Sequence, residues 1–300
     1  MKGFEVPYFD RRRGALAFET IYARGFLRWL YNTHAGGALG TVLTASPWPS
    51  RAYGWLQRRR WSRRRIAGFI ARMGIDPTEA RRDIGEFESF AEFFTREIDL
   101  GRRPVCPARD VAVAPADGRV LAFPTVEPET TFRIKRGLFN LRELLRDDAL
   151  AEDFGGGAMV ISRLSLSDYH HFHFPDSGIP GKAAPIPGRY HAGGPYALRT
   201  LVPFMTQNHR VRTLFDSDSF GRMAIVEIGA LTVGSIRQCF RPGARVAKGD
   251  EKGLFELGGS TVVLLFQRGA IRLDQDLVSM TRMEIETLVR MGEPIGRAPS

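Results

Sequence analysis

Cysteine is almost absent from this 300-residue chain. Cys106 and Cys239 stand far apart and form no C-x-x-C pair, which argues against a zinc knuckle or a disulfide framework and fits a reducing compartment. Long apolar runs are missing too. The uncharged stretch 29–50 is broken by Asn32, His34 and several glycines and prolines, whereas a spanning helix needs ~20 mainly apolar residues. The start, Met1-Lys2-Gly3-Phe4-Glu5-Val6-Pro7, has an acid and a proline where a signal peptide has its apolar core, so secretion is not indicated. A G-x-S-x-G elbow is lacking, which argues against an α/β-hydrolase. No internal repeat or low-complexity tract occurs. Histidine is scarce, with six in the chain. Acidic residues are scarce in one place: residues 1–75 hold three of them against fourteen Lys and Arg.

What remains is an ordinary globular composition, 43% hydrophobic and 25% charged, with a net charge of +10. The N-terminal imbalance accounts for all of that excess. The four tryptophans, Trp29, Trp48, Trp55 and Trp61, lie in the same stretch. Arginine clusters interleaved with Trp suit an anionic lipid surface, where the cation meets headgroups and the indole sits at the interface. The competing readings are a nucleic-acid surface and a merely solvated basic face. With no spanning segment, attachment to a membrane would be peripheral.

Apolar spacing predicts an amphipathic helix over 15–31, a second over 50–73 carrying the arginine triplets, and a short Phe-rich helix over 86–98. Gly74-Ile75-Asp76-Pro77 ends the second. From about residue 111 the apolar residues come in short runs separated by Gly, Pro and Asp, the pattern of a mainly antiparallel β-domain. Segments 138–146 and 279–291 read as helical. The expected fold class is therefore α+β. A basic, Trp-rich helical membrane-associating region, 1–80, precedes a β-rich catalytic domain, 81–300.

Three short segments carry chemistry. Gly258-Gly259-Ser260-Thr261 sets an unhindered Gly-Ser bond at the mouth of the very apolar run ending at Phe266; the glycines, lacking Cβ, leave the Gly259 carbonyl open to attack. A serine needs a base beside it and a group to orient that base. Asp168-Tyr169-His170-His171-Phe172-His173 holds three of the six histidines. In an extended segment His171 and His173 share one face and His170 the other. A His171/His173 metal pair lacks a clear third ligand, so no metal is expected. Upstream, Pro115-Ala116-Asp117-Gly118 puts an aspartate in a turn before an apolar strand; alone, such an aspartate commonly bonds its own backbone.

Together, in the order Asp, His, Ser, these segments resemble the phosphatidylserine decarboxylases, which carry a Pro-x-Asp-Gly turn, an Asp-Tyr-His-x-x-His segment and a Gly-Gly-Ser-Thr type cleavage site. Phe93-Phe94-Thr95-Arg96-Glu97, Arg103-Pro104, Val233-Gly234-Ser235-Ile236 and 248–253 extend the resemblance over roughly residues 85–270. His209 and His171 depart from the family's usual residues, neither at a triad position. The resemblance implies a sandwich-like catalytic core and a self-cleaving chain. Asp117 would orient His173, His173 would take the proton of Ser260, and Ser260 would attack the Gly259 carbonyl. The chain would part into fragments 1–259 (β) and 260–300 (α), and Ser260 would become a covalent pyruvoyl group, with no metal or diffusible cofactor. It further implies decarboxylation of phosphatidylserine to phosphatidylethanolamine with His170 assisting, and peripheral attachment to an anionic membrane, on the cytoplasmic face in a bacterium. Its partners would be phosphatidylserine, that surface and its own fragments, with a homodimer allowed and no nucleic acid. A pyruvoyl lyase for a soluble amino acid and a Ser-His-Asp hydrolase are the alternatives.

Overall fold

The computed structural model describes residues 6–20, 25, 29, 33, 40, 48–129, 132–134, 137–191, 204–230, 236–257 and 260–299. The strands among them are β1 (Val6–Asp10), β2 (Ala15–Glu19), β3 (Val111–Val113), β4 (Gly118–Val126), β5 (Phe132–Ile134), β6 (Gly137–Phe139), β7 (Gly157–Leu164), β8 (His171–His173) and β9 (Gly178–Pro180). The second half adds β10 (Ala184–Ile186), β11 (Arg210–Ser217), β12 (Gly221–Ile228), β13 (Ile236–Gln238), β14 (Glu251–Phe255), β15 (Ser260–Phe266), β16 (Arg272–Leu273), β17 (Glu286–Val289) and β18 (Pro294–Arg297). The helices whose bounds lie among the described residues are short: α1 (Trp48–Gln57), α2 (Ile66–Met73), α3 (Phe90–Phe94), α4 (Leu141–Leu145), α5 (Asp148–Asp153), α6 (Phe204–Gln207) and α7 (Gln275–Arg282). The protein is thus mixed α/β with mostly sheet content.

A ten-stranded sheet organises the molecule, in the order β10-β11-β12-β15-β7-β4-β17-β1-β2 with β9 beside β11. Its described pairings are antiparallel except β1 with β17. Central strand β15 is apolar on both faces because both are covered, so its sequence shows a continuous run instead of alternation. Val262, Leu264 and Phe266 face one core, which takes Phe172 and Phe255 from the small sheet β13-β14-β8, Ala112 and Ile295 from the small sheet β16-β18-β3, and Leu277 from α7. Val263 and Leu265 face the other core, closed by Leu141, Leu144 and Leu145 of α4, Ala151 of α5 and Phe204 of α6. A third cluster joins α2 and α3 through Ile66, Phe69, Phe90, Phe93 and Phe94, and takes in Leu257 just ahead of β15.

The expected helix over 15–31 is corrected at its start. Residues 15–19 form β2, paired with β1 around the turn closed by Gly14 at φ 63°. Leu16 and Phe18 alternate with period two, and β1 finds an open edge on β17, so sheet pairing overrides the helical spacing. Most of residues 20–31 lies outside the described residues. The helix expected over 50–73 is two helices joined by a 3-10 segment, Arg60–Arg65. Ser62 breaks it by donating to the Gln57 and Arg59 carbonyls, while neighbouring arginines repel at helical spacing. Gly74, at φ 64°, does end α2. Within 86–98 only Phe90–Phe94 is α-helical, with Ser89 as its N-cap. Segment 138–146 opens as β6 before Asn140 caps α4. Segment 279–291 holds only the end of α7; beyond Glu284 it becomes β17, claimed by β4 and β1.

Candidate active site

One end of the large sheet collects the three motifs. Ser260 opens β15 opposite Leu164, the last residue of β7. In the small sheet His171 of β8 pairs with Leu254 of β14, and the Phe255 N–H donates to the His170 carbonyl at 2.9 Å. Residues 170 and 255 are thus neighbours at one end, and residues 164 and 260 at the other, which brings the histidine segment towards the start of β15. Continuing the β4–β7 register past Arg119 and Arg163 puts Gly118 beside Leu164. Ser260, Leu164 and Gly118 thus form one row, its ends about 10 Å apart at ordinary strand spacing. A Cβ on Gly118 would lie 2.8 Å from the Arg163 carbonyl oxygen, so this close approach needs the glycine that follows Asp117. Gly259 lies outside the described residues.

Ser260 is 1% exposed, and its Oγ has no hydrogen-bond partner among the described residues. By the alternation of β15 it shares a face with Val262. The histidines are better held. A carbonyl only accepts, so the His173 Nδ1 contact to the Gly249 oxygen (2.9 Å) and the His170 Nδ1 contact to the Asp168 oxygen (2.8 Å) both make Nδ1 the donor. Each ring then carries its lone pair on Nε2 and can act as a base. Burial is the largest influence on His173 and pushes its imidazole below the usual value, against the Gly249 hydrogen bond and the charges of Glu251 and Asp117. The Tyr169 hydroxyl lies 3.4 Å from His173 Nε2. His170 rests on Phe94, ring centroids 4.0 Å apart. His171 meets the Glu251 carboxylate (3.0 Å) and the Thr95 carbonyl (3.1 Å), which makes it a fastener between β8, β14 and the end of α3.

Asp117 is close to His173 but does not hydrogen-bond to it. Its oxygens accept from Arg103 Nε (3.0 Å to each), Arg103 Nη2 (2.7 Å) and the Met291 N–H (2.9 Å). The His173 N–H donates to the Pro115 carbonyl (2.7 Å), which ties β8 to the Asp117 turn through the backbone.

The family model described as phosphatidylserine decarboxylase matches residues 90–297, a span covering all three motifs. The chain belongs to the phosphatidylserine decarboxylase family. A relative from Chlamydia felis (strain Fe/C-56), named phosphatidylserine decarboxylase proenzyme, is 40% identical over 294 residues, 98% of each chain. Proteins of the same name from Chlamydia pneumoniae and Clostridium beijerinckii (strain ATCC 51743 / NCIMB 8052) are 39% and 35% identical, covering 97% of this chain and 97% and 98% of their own.

In this member of the decarboxylase family, buried charges that the motifs did not announce surround the site. Arg119 forms an ion pair with Asp168, which also accepts the Ser165 N–H at 2.7 Å. Burial pushes the Asp168 carboxyl up, against the pull of Arg119. Arg163, opposite Arg119 across the β4–β7 pair, is neutralised by Glu19 (2.7 Å) and Glu286 (2.8 Å). Arg103 binds Glu79 (2.8 Å) as well as Asp117. The first strands of the chain thus reach the back of the catalytic end through Glu19. Arg103 and Asp168 stand within the sequence motifs, which assign neither of them a role. Charged residues inside otherwise apolar strands, Arg163 in β7 and Glu227 in β12, were the signal available for the rest.

Proposed function

We propose that the chain is a proenzyme that cuts itself between Gly259 and Ser260 and then converts phosphatidylserine to phosphatidylethanolamine and CO₂. The observation that carries this is the Ser260 hydroxyl, buried and without a hydrogen-bond partner among the described residues, at the row that also holds Gly118, with two Nε2 bases in the adjoining segment. An orphaned buried hydroxyl is costly to keep, and a group consumed by its own chemistry is one reason to keep it. His173 Nε2 accepts the Oγ proton as Ser260 attacks the Gly259 carbonyl. Asp117, locked by Arg103, favours the imidazolium that forms, acting through space. The Gly259–Ser260 bond breaks to leave an ester. Elimination then breaks the Ser260 Cβ–Oγ bond and frees the Gly259 carboxylate, and hydrolysis releases ammonia and leaves a pyruvoyl group on residue 260.

The surroundings of Ser260 fit that group, which needs no partner for a hydroxyl and sits where water is excluded. It supplies an electrophilic carbonyl for the substrate amine and a sink for the electrons left by departing CO₂. His170, whose Nδ1 donates to the Asp168 carbonyl, would deliver a proton to the carbon that loses CO₂.

The lipid is met at a membrane surface by the N-terminal basic region, 1–80. Trp48, Trp55, Leu56 and Trp61 are exposed, as are Arg58, Arg59, Arg60, Arg63, Arg64 and Arg65. Arg59 lies over the Trp55 ring at 3.9 Å. No helix among the described residues is long and apolar enough to cross a membrane. Intact-mass analysis of purified active protein tests the central step: fragments 1–259 and 260–300 are expected, the second with a blocked N-terminus. An uncut chain with full decarboxylase activity would sink it.

A further inference from the structure

Four guanidinium groups gather behind the catalytic end, and three have carboxylates: Arg163 takes Glu19 and Glu286. Arg103 takes Asp117 and Glu79, and Arg119 takes Asp168. Arg96 is the exception. It is 6% exposed and has no ion-pair partner within 4.0 Å among the described residues; Nη2 donates to the Ser167 carbonyl at 2.8 Å, and Nη1 is buried with no acceptor among them. Its remaining support is the Phe93 ring, 4.9 Å from the guanidinium carbon. Burial pulls its pKa down, while Asp168, Glu79 and Asp117 favour the cation from a distance. A buried cation with an idle donor is expensive unless something anionic arrives.

Its place says what arrives. Phe94, two residues before Arg96, carries His170, and Thr95 holds His171. Ser167 lies on the crossover that starts at Leu164, opposite Ser260. Arg96 is therefore bonded to the crossover that links the strand residue facing Ser260 to the His170 segment. We propose that Arg96 receives the oxyanion of the phospholipid headgroup, an inference that rests on the decarboxylase reading above. That headgroup offers a phosphodiester and a carboxylate. A cation bonded to the carboxylate would stabilise the ground state of a reaction that removes that charge, whereas the phosphodiester keeps its charge throughout. The phosphodiester is the assignment, held by the planar fork of the guanidinium.

The test compares processed parent enzyme with Arg96→Met and Arg96→Lys. Both variants should self-cleave, and Arg96→Met should melt no lower than the parent, because it removes an unpaired buried charge. The KM for phosphatidylserine in mixed micelles should rise about 10- to 100-fold in Arg96→Met and less in Arg96→Lys, with kcat little changed. Binding of glycerophosphoethanolamine, which has the phosphodiester and no carboxylate, should weaken by a similar factor in calorimetry. A KM effect without that weakening would move the contact to the carboxylate and overturn the phosphodiester assignment. Unchanged KM and unchanged binding, or loss of fold in both variants, would make Arg96 structural and overturn the inference. Failure of the parent to decarboxylate phosphatidylserine would instead strike the functional reading, and the calorimetric arm would still judge Arg96.

Discussion

Lys252 and Glu227 form an ion pair with both side chains fully buried, Nζ to Oε1 2.8 Å. Nζ also donates to Gln238 Oε1 (2.7 Å) and Thr213 Oγ1 (3.0 Å), and Gln238 Nε2 donates to Glu227 Oε2 (3.0 Å). Burial pushes the Glu227 carboxyl up and the Lys252 ammonium down, against their mutual attraction. Glu227 stands opposite Val262, two residues into the strand that Ser260 opens, and Lys252 lies on β14, which leads to the proposed cleavage site. Glu227→Gln leaves a buried ammonium without its counter-charge, a loss of about 3–5 kcal/mol. For a chain of this size that corresponds to a fall in Tm of about 5–15 °C. Lys252→Met should do similar harm by stranding the carboxylate. The pair Glu227→Leu with Lys252→Met should recover most of the loss, short by about 1–3 kcal/mol for polar groups left around it. Melting would be followed in a Ser260→Ala background so that every molecule is uncut, and self-cleavage would be timed with Ser260 restored. Cleavage should slow in each single variant and recover in the double. Single variants melting within a degree of the parent, or a double variant as unstable as the two losses summed, would refute the reasoning.

The histidines should divide the work: His173→Ala and Asp117→Ala should stay full length by intact mass, whereas His170→Ala should cut yet release little CO₂; the reverse pattern would exchange their roles. The pH dependence of self-cleavage follows from burial of His173. Its imidazole stays neutral below the ordinary 6.5, so the rate should hold through that pH and fall only in stronger acid, and a midpoint above 6.5 would contradict it. The same group makes stability fall as pH drops below 6.5, because the unfolded chain takes up the proton first. Membrane binding should be strong on anionic vesicles at low salt. If four arginines reach the lipid, the attraction is about 4 kcal/mol, near a thousandfold in partitioning. High salt should leave a Trp-dependent remainder, and glutamine in place of Arg58, Arg59, Arg60, Arg63, Arg64 and Arg65 should weaken binding. Equal binding to neutral vesicles at low salt would remove the electrostatic contribution.

What the sequence determined by itself was whatever is local. The apolar run after Ser260 reads as a strand because both of its faces are buried, and the segment from Asp168 to His173 declares its alternation within a few residues. Gly74 ends α2 because it can take the left-handed φ of 64° that a C-terminal cap requires. These features depend on backbone geometry and near neighbours, so one stretch of chain contains them. The rest required distant partners. Residues 15–19 are a strand because β1 lies on β17, some 280 positions away. Residues 286–289 leave the helical pattern for the same reason. The charge pairings are further from legibility still: Arg163 meets Glu19 and Glu286 across 144 and 123 positions, and Lys252 meets Glu227 only because two sheets face each other there. A buried charge is tolerable only with its partner, and composition shows the charges without the pairing. Tertiary structure alone decided that Asp117 is held by Arg103, that Arg96 has no carboxylate within 4.0 Å among the described residues, and that the Ser260 hydroxyl is buried at the same end of the sheet.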